Sequence, residues 1–113
     1  PEVRDVLTAL NTGHDGGWAT LHANSAADVP ARLAALGALA GMSEAALAAQ
    51  ACAALDSVLH MRRSPLGQRW VCEVGVLIKD RGPLECAPAL RVTSDGRVIE
   101  HEAWAGLAER AGL

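Results

Sequence analysis

Val3, Val6, Leu7 and Leu10 recur at i, i+3, i+4 and i+7, the spacing of one helix face. Asn11-Thr12-Gly13 closes that pattern, and Gly16-Gly17 turns the chain. Trp18 to His22 mixes Trp, Thr and Leu and predicts a brief buried strand. Asn24 and Ser25 are expected N-caps for a following helix, and Asp28, three residues after Ser25, approximates a capping box. Pro30 suits the first turn of that helix. Leu33, Leu36 and Leu39 are expected to line its buried face, and Gly41 to stop it. Ser43 then caps a second helix, Glu44 suits its positive N-terminal end, and Leu47, Ala51, Ala54 and Leu55 form its apolar stripe.

From Ser57 the period changes. Val58, Leu59 and Met61 form a short strand-like run ending at Arg62-Arg63. Ser64-Pro65-Leu66-Gly67 signals a turn, and Trp70 to Ile78, rich in Val, Trp and Ile, is the returning strand of a hairpin. Asp80-Arg81-Gly82-Pro83 breaks it. A second, weaker hairpin runs from about Leu90 to Ile99 around Ser94-Asp95-Gly96, and Trp104, Leu107, Ala108 and Ala111 predict a closing helix. The order of elements is α/β with an antiparallel edge.

Composition narrows what such a chain can do. It has 113 residues, which allows one domain and hardly two. Half of them are hydrophobic, but Phe and Tyr are absent, so the core rests on Ala and Leu in closely packed helices. No window approaches the ~20 apolar residues of a membrane span. No basic segment leads into an apolar one as in a signal peptide. A net charge of −3 argues against a nucleic-acid partner held by its phosphate backbone. Cys52, Cys72 and Cys86 are odd in number with no CxxC, so they are expected to be reduced thiols, and no metal-binding set is expected.

Candidate chemistry is concentrated in Thr12-Gly13-His14-Asp15-Gly16 and Thr20-Leu21-His22-Ala23-Asn24-Ser25. Two histidines flank a tight turn, and the two-residue spacing of Thr20 and His22 puts them on one strand face. Asn24-Ser25 opens a helix, where backbone N–H groups can meet an anion. In the plain structural alternative, His14 caps a helix C-terminus and His22 is a hydrogen-bonded core histidine.

The segment resembles the His box of the ATPases that energise type II and type IV secretion and pilus assembly. It is most similar to the subgroup that assembles tight-adherence (Flp-type) pili and to its type IV relatives. Asn11, Thr12, Gly13, His14, Asp15 and Gly16 match the first half of that pattern, and Thr20, His22, Ala23, Asn24 and Ser25 the second. Arg32-Leu33 matches a pair in the next helix, and Glu2 a glutamate just beyond the Walker B strand.

The resemblance implies the C-terminal portion of a RecA-like P-loop ATPase domain, spanning residues 1–79, followed by an unassigned extension over residues 80–113. It implies a hexameric ring powering secretion or pilus assembly on the cytoplasmic side of the inner membrane. The implied partners are other copies of the chain and inner-membrane platform proteins, not nucleic acid. His14 and His22, supported by Thr20, would sense the γ-phosphate and couple it to subunit movement. Thr12, Gly13, Asp15, Asn24 and Ser25 complete the motif, and Arg32, Arg62 and Arg63 are candidate subunit contacts.

ATP and Mg2+ are implied for the full-length parent only. This chain has no Gly-x-x-x-x-Gly-Lys-Ser/Thr, and Lys79 is its single lysine. Pro1, with no Met before it, is expected to mark a cut just after the Walker B strand. The chain alone is accordingly expected not to hydrolyse ATP, and to be marginally stable without the central parallel strands.

Two other functions fit some of the residues. A degenerate, non-hydrolytic interaction module would share the fold. His14-Asp15 and the Asp56/His60 pair invite a metal phosphohydrolase of the HD type, although Asp56 is expected where helix gives way to strand. His60 is otherwise a surface or strand residue, His101 lies with Glu100 and Glu102 on a solvated face, and Trp70 and Trp104 belong to the core.

Overall fold

A computed structural model describes residues 20–79 and 82–113. The expected first helix, the turn at Gly16-Gly17, Trp18, and Thr12, Gly13, His14 and Asp15 lie outside the described residues. From Thr20 the chain leads into a single 3-10 turn at Ala26–Asp28, then helix α1 (Val29–Leu39) and helix α2 (Glu44–Ala54). Four strands follow, β1 (Val58–Arg63), β2 (Arg69–Ile78), β3 (Glu85–Val92) and β4 (Val98–Glu100), and helix α3 (Trp104–Arg110) closes the order.

Both ends of the α-hairpin follow from local chemistry. Pro30 occupies the first turn of α1, where its missing N–H is not needed. At the other end the Met42 N–H reaches the Gly37 carbonyl at 2.8 Å and the Gly41 N–H reaches Ala38 at 3.0 Å. This double closure needs a left-handed residue, which Gly41 supplies at φ 78°. Ser43 caps α2 by accepting from the Ala46 N–H at 3.1 Å. Ser43→Ala is expected to cost about 1 kcal/mol. A urea titration checks this, and an unchanged midpoint would contradict the cap.

The buried row of α1 is Val29, Leu33 and Gly37, one residue every four. Leu36 is half-buried and Leu39 is 80% exposed, so the expected Leu33/Leu36/Leu39 face is corrected. Leu39 follows Leu33 by six residues, about 240° around the helix, which carries it off the core side. Gly37 is buried because Leu47 of α2 packs on it: a Cβ at position 37 would lie 3.0 Å from Leu47 Cδ2.

The sheet is an antiparallel meander in the order β1-β2-β3-β4. It is therefore more than the edge hairpin expected from the sequence. The β1–β2 hairpin forms with its turn at 64–67, where the Ser64 N–H bonds the Gln68 carbonyl at 2.7 Å and the Gln68 N–H bonds Ser64 Oγ at 3.1 Å. The second hairpin forms too, but β3 begins at Glu85 and pairs with β2 from Glu73 to Ile78, so one sheet holds both hairpins. That pairing is long-range and leaves no local signature in the sequence.

Alternation along β2 builds two cores. Leu77 joins Val29, Leu33, Leu47 and Ala51 under the α-hairpin. Val76 joins Ala89 and Leu107 on the opposite face, with Trp104 packed against them. Trp70 is half-buried and donates its indole N–H to the Val92 carbonyl at 3.3 Å, which secures β2 to the far end of β3.

Candidate functional site

Thr20 to Ser25 forms no ladder with the sheet. The expected strand at 18–22 is thus corrected over its described part, Thr20 to His22. Alternation survives without pairing. Leu21 and Ala23 pack against the α-hairpin core, while Thr20, His22 and Asn24 are exposed. Apolar alternation reports that a segment is extended over a core, and a hydrogen-bonded neighbour is a separate, tertiary matter. His22 is accordingly not a buried core histidine.

Ser25 precedes the 3-10 turn but makes no side-chain cap, so neither the Ser25 cap nor the Ser25/Asp28 capping box forms. The first N–H of that turn, on Ala26, instead faces Glu73 Oε1 of β2 at 3.4 Å. The anion meeting this helix start is the protein's own carboxylate. Ala26 itself is buried, so the exposed Thr20–Asn24 row ends on a fixed point against the sheet.

Glu73 was not singled out in the sequence, although it is the one charged residue inside the apolar run Trp70–Ile78. It is half-buried, and no basic side chain pairs with it among the described residues. Its charge also acts on Cys86. Burial first, and the Glu73 carboxylate second, push the Cys86 thiol up to about 11, so it stays protonated at neutral pH. Directly across β1 from Glu73 is His60.

The other candidates are dispersed. Arg32 is exposed on α1. Arg62, Arg63 and Arg69 cluster at the turn end of the first hairpin, with Arg63 facing Arg69 across the ladder. Lys79 lines a cleft of about 800 Å³ between the α-hairpin and residues 82–86, beside Glu44 and Glu85. His22 and Arg32 do not line that cleft. Lys79, the single lysine, has acidic neighbours in that cleft, and the N–H that opens the 3-10 turn faces Glu73. Asp56 is exposed between α2 and β1 and is not one of the group formed by His60, Cys72 and Glu73. His101 is half-buried with Nε2 shielded from solvent, not on the expected solvated face, because its backbone N–H bonds Ala89 at 2.8 Å and draws it against β3.

No helix among the described residues is long and apolar enough to cross a membrane. The family model for type II/IV secretion system proteins matches residues 1–103. Two curated relatives come from Mycobacterium tuberculosis: "Putative conjugal transfer protein Rv3659c" of strain ATCC 25618 / H37Rv and "Putative conjugal transfer protein MT3759" of strain CDC 1551 / Oshkosh. Each is 49% identical over 104 residues, which is 89% of this chain and 30% of the relative. The chain thus spans less than a third of the length of these relatives. With a family match over most of its residues, through both hairpins, this chain belongs to the type II/IV secretion system protein family.

Proposed function

We propose that this chain is the nucleotide-sensing and subunit-coupling portion of a RecA-like ATPase that forms a hexameric ring and drives secretion, conjugation or Flp-type pilus assembly. The observation that carries this reading is the exposed row Thr20, His22, Asn24, held outward because Leu21 and Ala23 are packed into the core. The family match and the His-box pattern supply the context.

An exposed imidazole and hydroxyl on a segment anchored by Leu21, Ala23 and Ala26 can offer hydrogen bonds to a phosphate held by residues outside this chain. The segment continues through Ala26 into α1, which presents Arg32, so a displacement of His22 would reach a second exposed surface through rigid structure. Arg32 and the Arg62/Arg63 pair are proposed as contacts to neighbouring copies. His14, Thr12, Gly13 and Asp15 are proposed to complete the sensor, with ATP and Mg2+ bound by the parent protein. Its platform partners, on this reading, sit at the inner face of the membrane.

The test is steady-state ATP hydrolysis. In the full-length ATPase, His22→Ala is expected to lower kcat about 100-fold, the scale for removing one donor to developing charge, with KM changed little. The 113-residue chain alone is expected to show no turnover. Wild-type kcat in the full-length variant, or turnover by the isolated chain that His22→Ala abolishes, would overturn the proposal.

A further inference from the structure

Position 72 breaks the β1–β2 register. His60 faces Glu73, but Met61 faces Val71, so Cys72 is the extra residue of a bulge on β2. In a regular strand Cys72 and Glu73 would point to opposite faces. A bulge bends the strand and re-aims its side chains. Here it brings the His60 ring nitrogen, the Cys72 thiol and a Glu73 carboxylate oxygen all within 4.8 Å of one another.

We propose that His60, Cys72 and Glu73 form a binding site for a divalent transition metal of the zinc class. Nitrogen, thiolate sulfur and carboxylate oxygen are the three donor types that Zn2+ takes. Bond lengths of about 2.0–2.3 Å place tetrahedral ligands roughly 3.3–3.8 Å apart, a small side-chain adjustment from the observed spacing.

Charge and partnering favour a cation here. Glu73 is a half-buried carboxylate whose hydrogen bond from Ala26 is long, at 3.4 Å, and which has no ion-pair partner among the described residues. The Cys72 thiol is buried and donates only to the His60 carbonyl at 3.3 Å, a bond the thiol gives up with its proton when it ligates. A thiolate in the set selects against Mg2+, which prefers oxygen ligands. The three residues leave a fourth tetrahedral position for a water or an outside ligand. A bound ion would clasp β1 to β2 at the bulge and fix the carboxylate on which Ala26, and hence the His22 segment, rests.

The experiment uses the full chain with Zn2+ or Co2+ alone. Equilibrium dialysis is expected to give one ion per chain, and Co2+ to produce a thiolate-to-metal charge-transfer band. Cys72→Ser is expected to abolish the band, while Cys52→Ser and Cys86→Ser keep it. His60→Gln is expected to weaken binding at least about tenfold with an unchanged circular dichroism spectrum. Zn2+, but not Mg2+, is expected to raise the Tm of the wild type and not that of His60→Gln. Absence of the band, its persistence in Cys72→Ser, or its loss in Cys86→Ser alone would overturn the site. None of these readouts depends on ATP hydrolysis, so the site and the proposed function stand or fall separately.

Discussion

Gly75→Val is expected to abolish cooperative folding of the chain at ordinary temperatures. Gly75 is buried in the middle of β2, facing the α-hairpin. A Cβ there collides with Cys86 Sγ, meets the Ala87 carbonyl oxygen at 3.3 Å and touches the Ala26 methyl at 3.8 Å. The thiol can swing about one bond, but the carbonyl belongs to the paired backbone of β3 and Ala26 is fixed beneath the sheet. Even Gly75→Ala is expected to cost about 1–3 kcal/mol as overpacking. The branched side chain of Val adds two more carbons to the same space, and a domain of this size holds only about 5–15 kcal/mol in total.

Urea unfolding followed by circular dichroism measures both variants. Combining Gly75→Ala with Cys86→Ala should recover part of the loss, because the second change removes the atom in collision. A coupling of about 0.5–3 kcal/mol is expected from residues in direct contact. A Gly75→Ala midpoint equal to wild type would show that the strands separate freely at this point, contrary to the packing described.

Leu47→Ala is the second large effect, expected at about 3 kcal/mol and a Tm lower by roughly 10 °C. Leu47 is 2% exposed, sits at the centre of the larger core and fills the space that Gly37 leaves open on α1. Truncation leaves a cavity there that backbone on one side and the sheet on the other keep from collapsing. Leu39→Ala is the matched control. It removes the same atoms from a position 80% exposed and is expected to stay within about 0.5 kcal/mol. Equal losses in the two variants would mean that α1 packs through a different face.

The contrast between those two leucines marks where sequence stops being informative. Helix boundaries at Pro30, Gly41 and Ser43 were legible because each acts on its own backbone within four residues. The β1–β2 hairpin was legible for the same reason, since its turn signal and its strands are contiguous. The pairing of β3 with β2 was not, because partners up to 18 residues apart, Glu73 with Arg91, carry no local mark. Capping by Ser25 was expected from residue type, and Glu73, 47 positions away from Ala26, displaced it.

The sequence by itself determined the α-hairpin and the turns at 41–43 and 64–67, since these depend on spacing along the chain. Only the tertiary structure decided that Leu39 faces solvent, that His22 is held outward by its apolar neighbours, and that Cys72 stands beside His60 and Glu73. The physical reason is common to all three. Exposure and proximity are set by which surfaces pack together, and a one-residue bulge reverses the direction of a side chain without changing the pattern of hydrophobic and polar residues that precedes it.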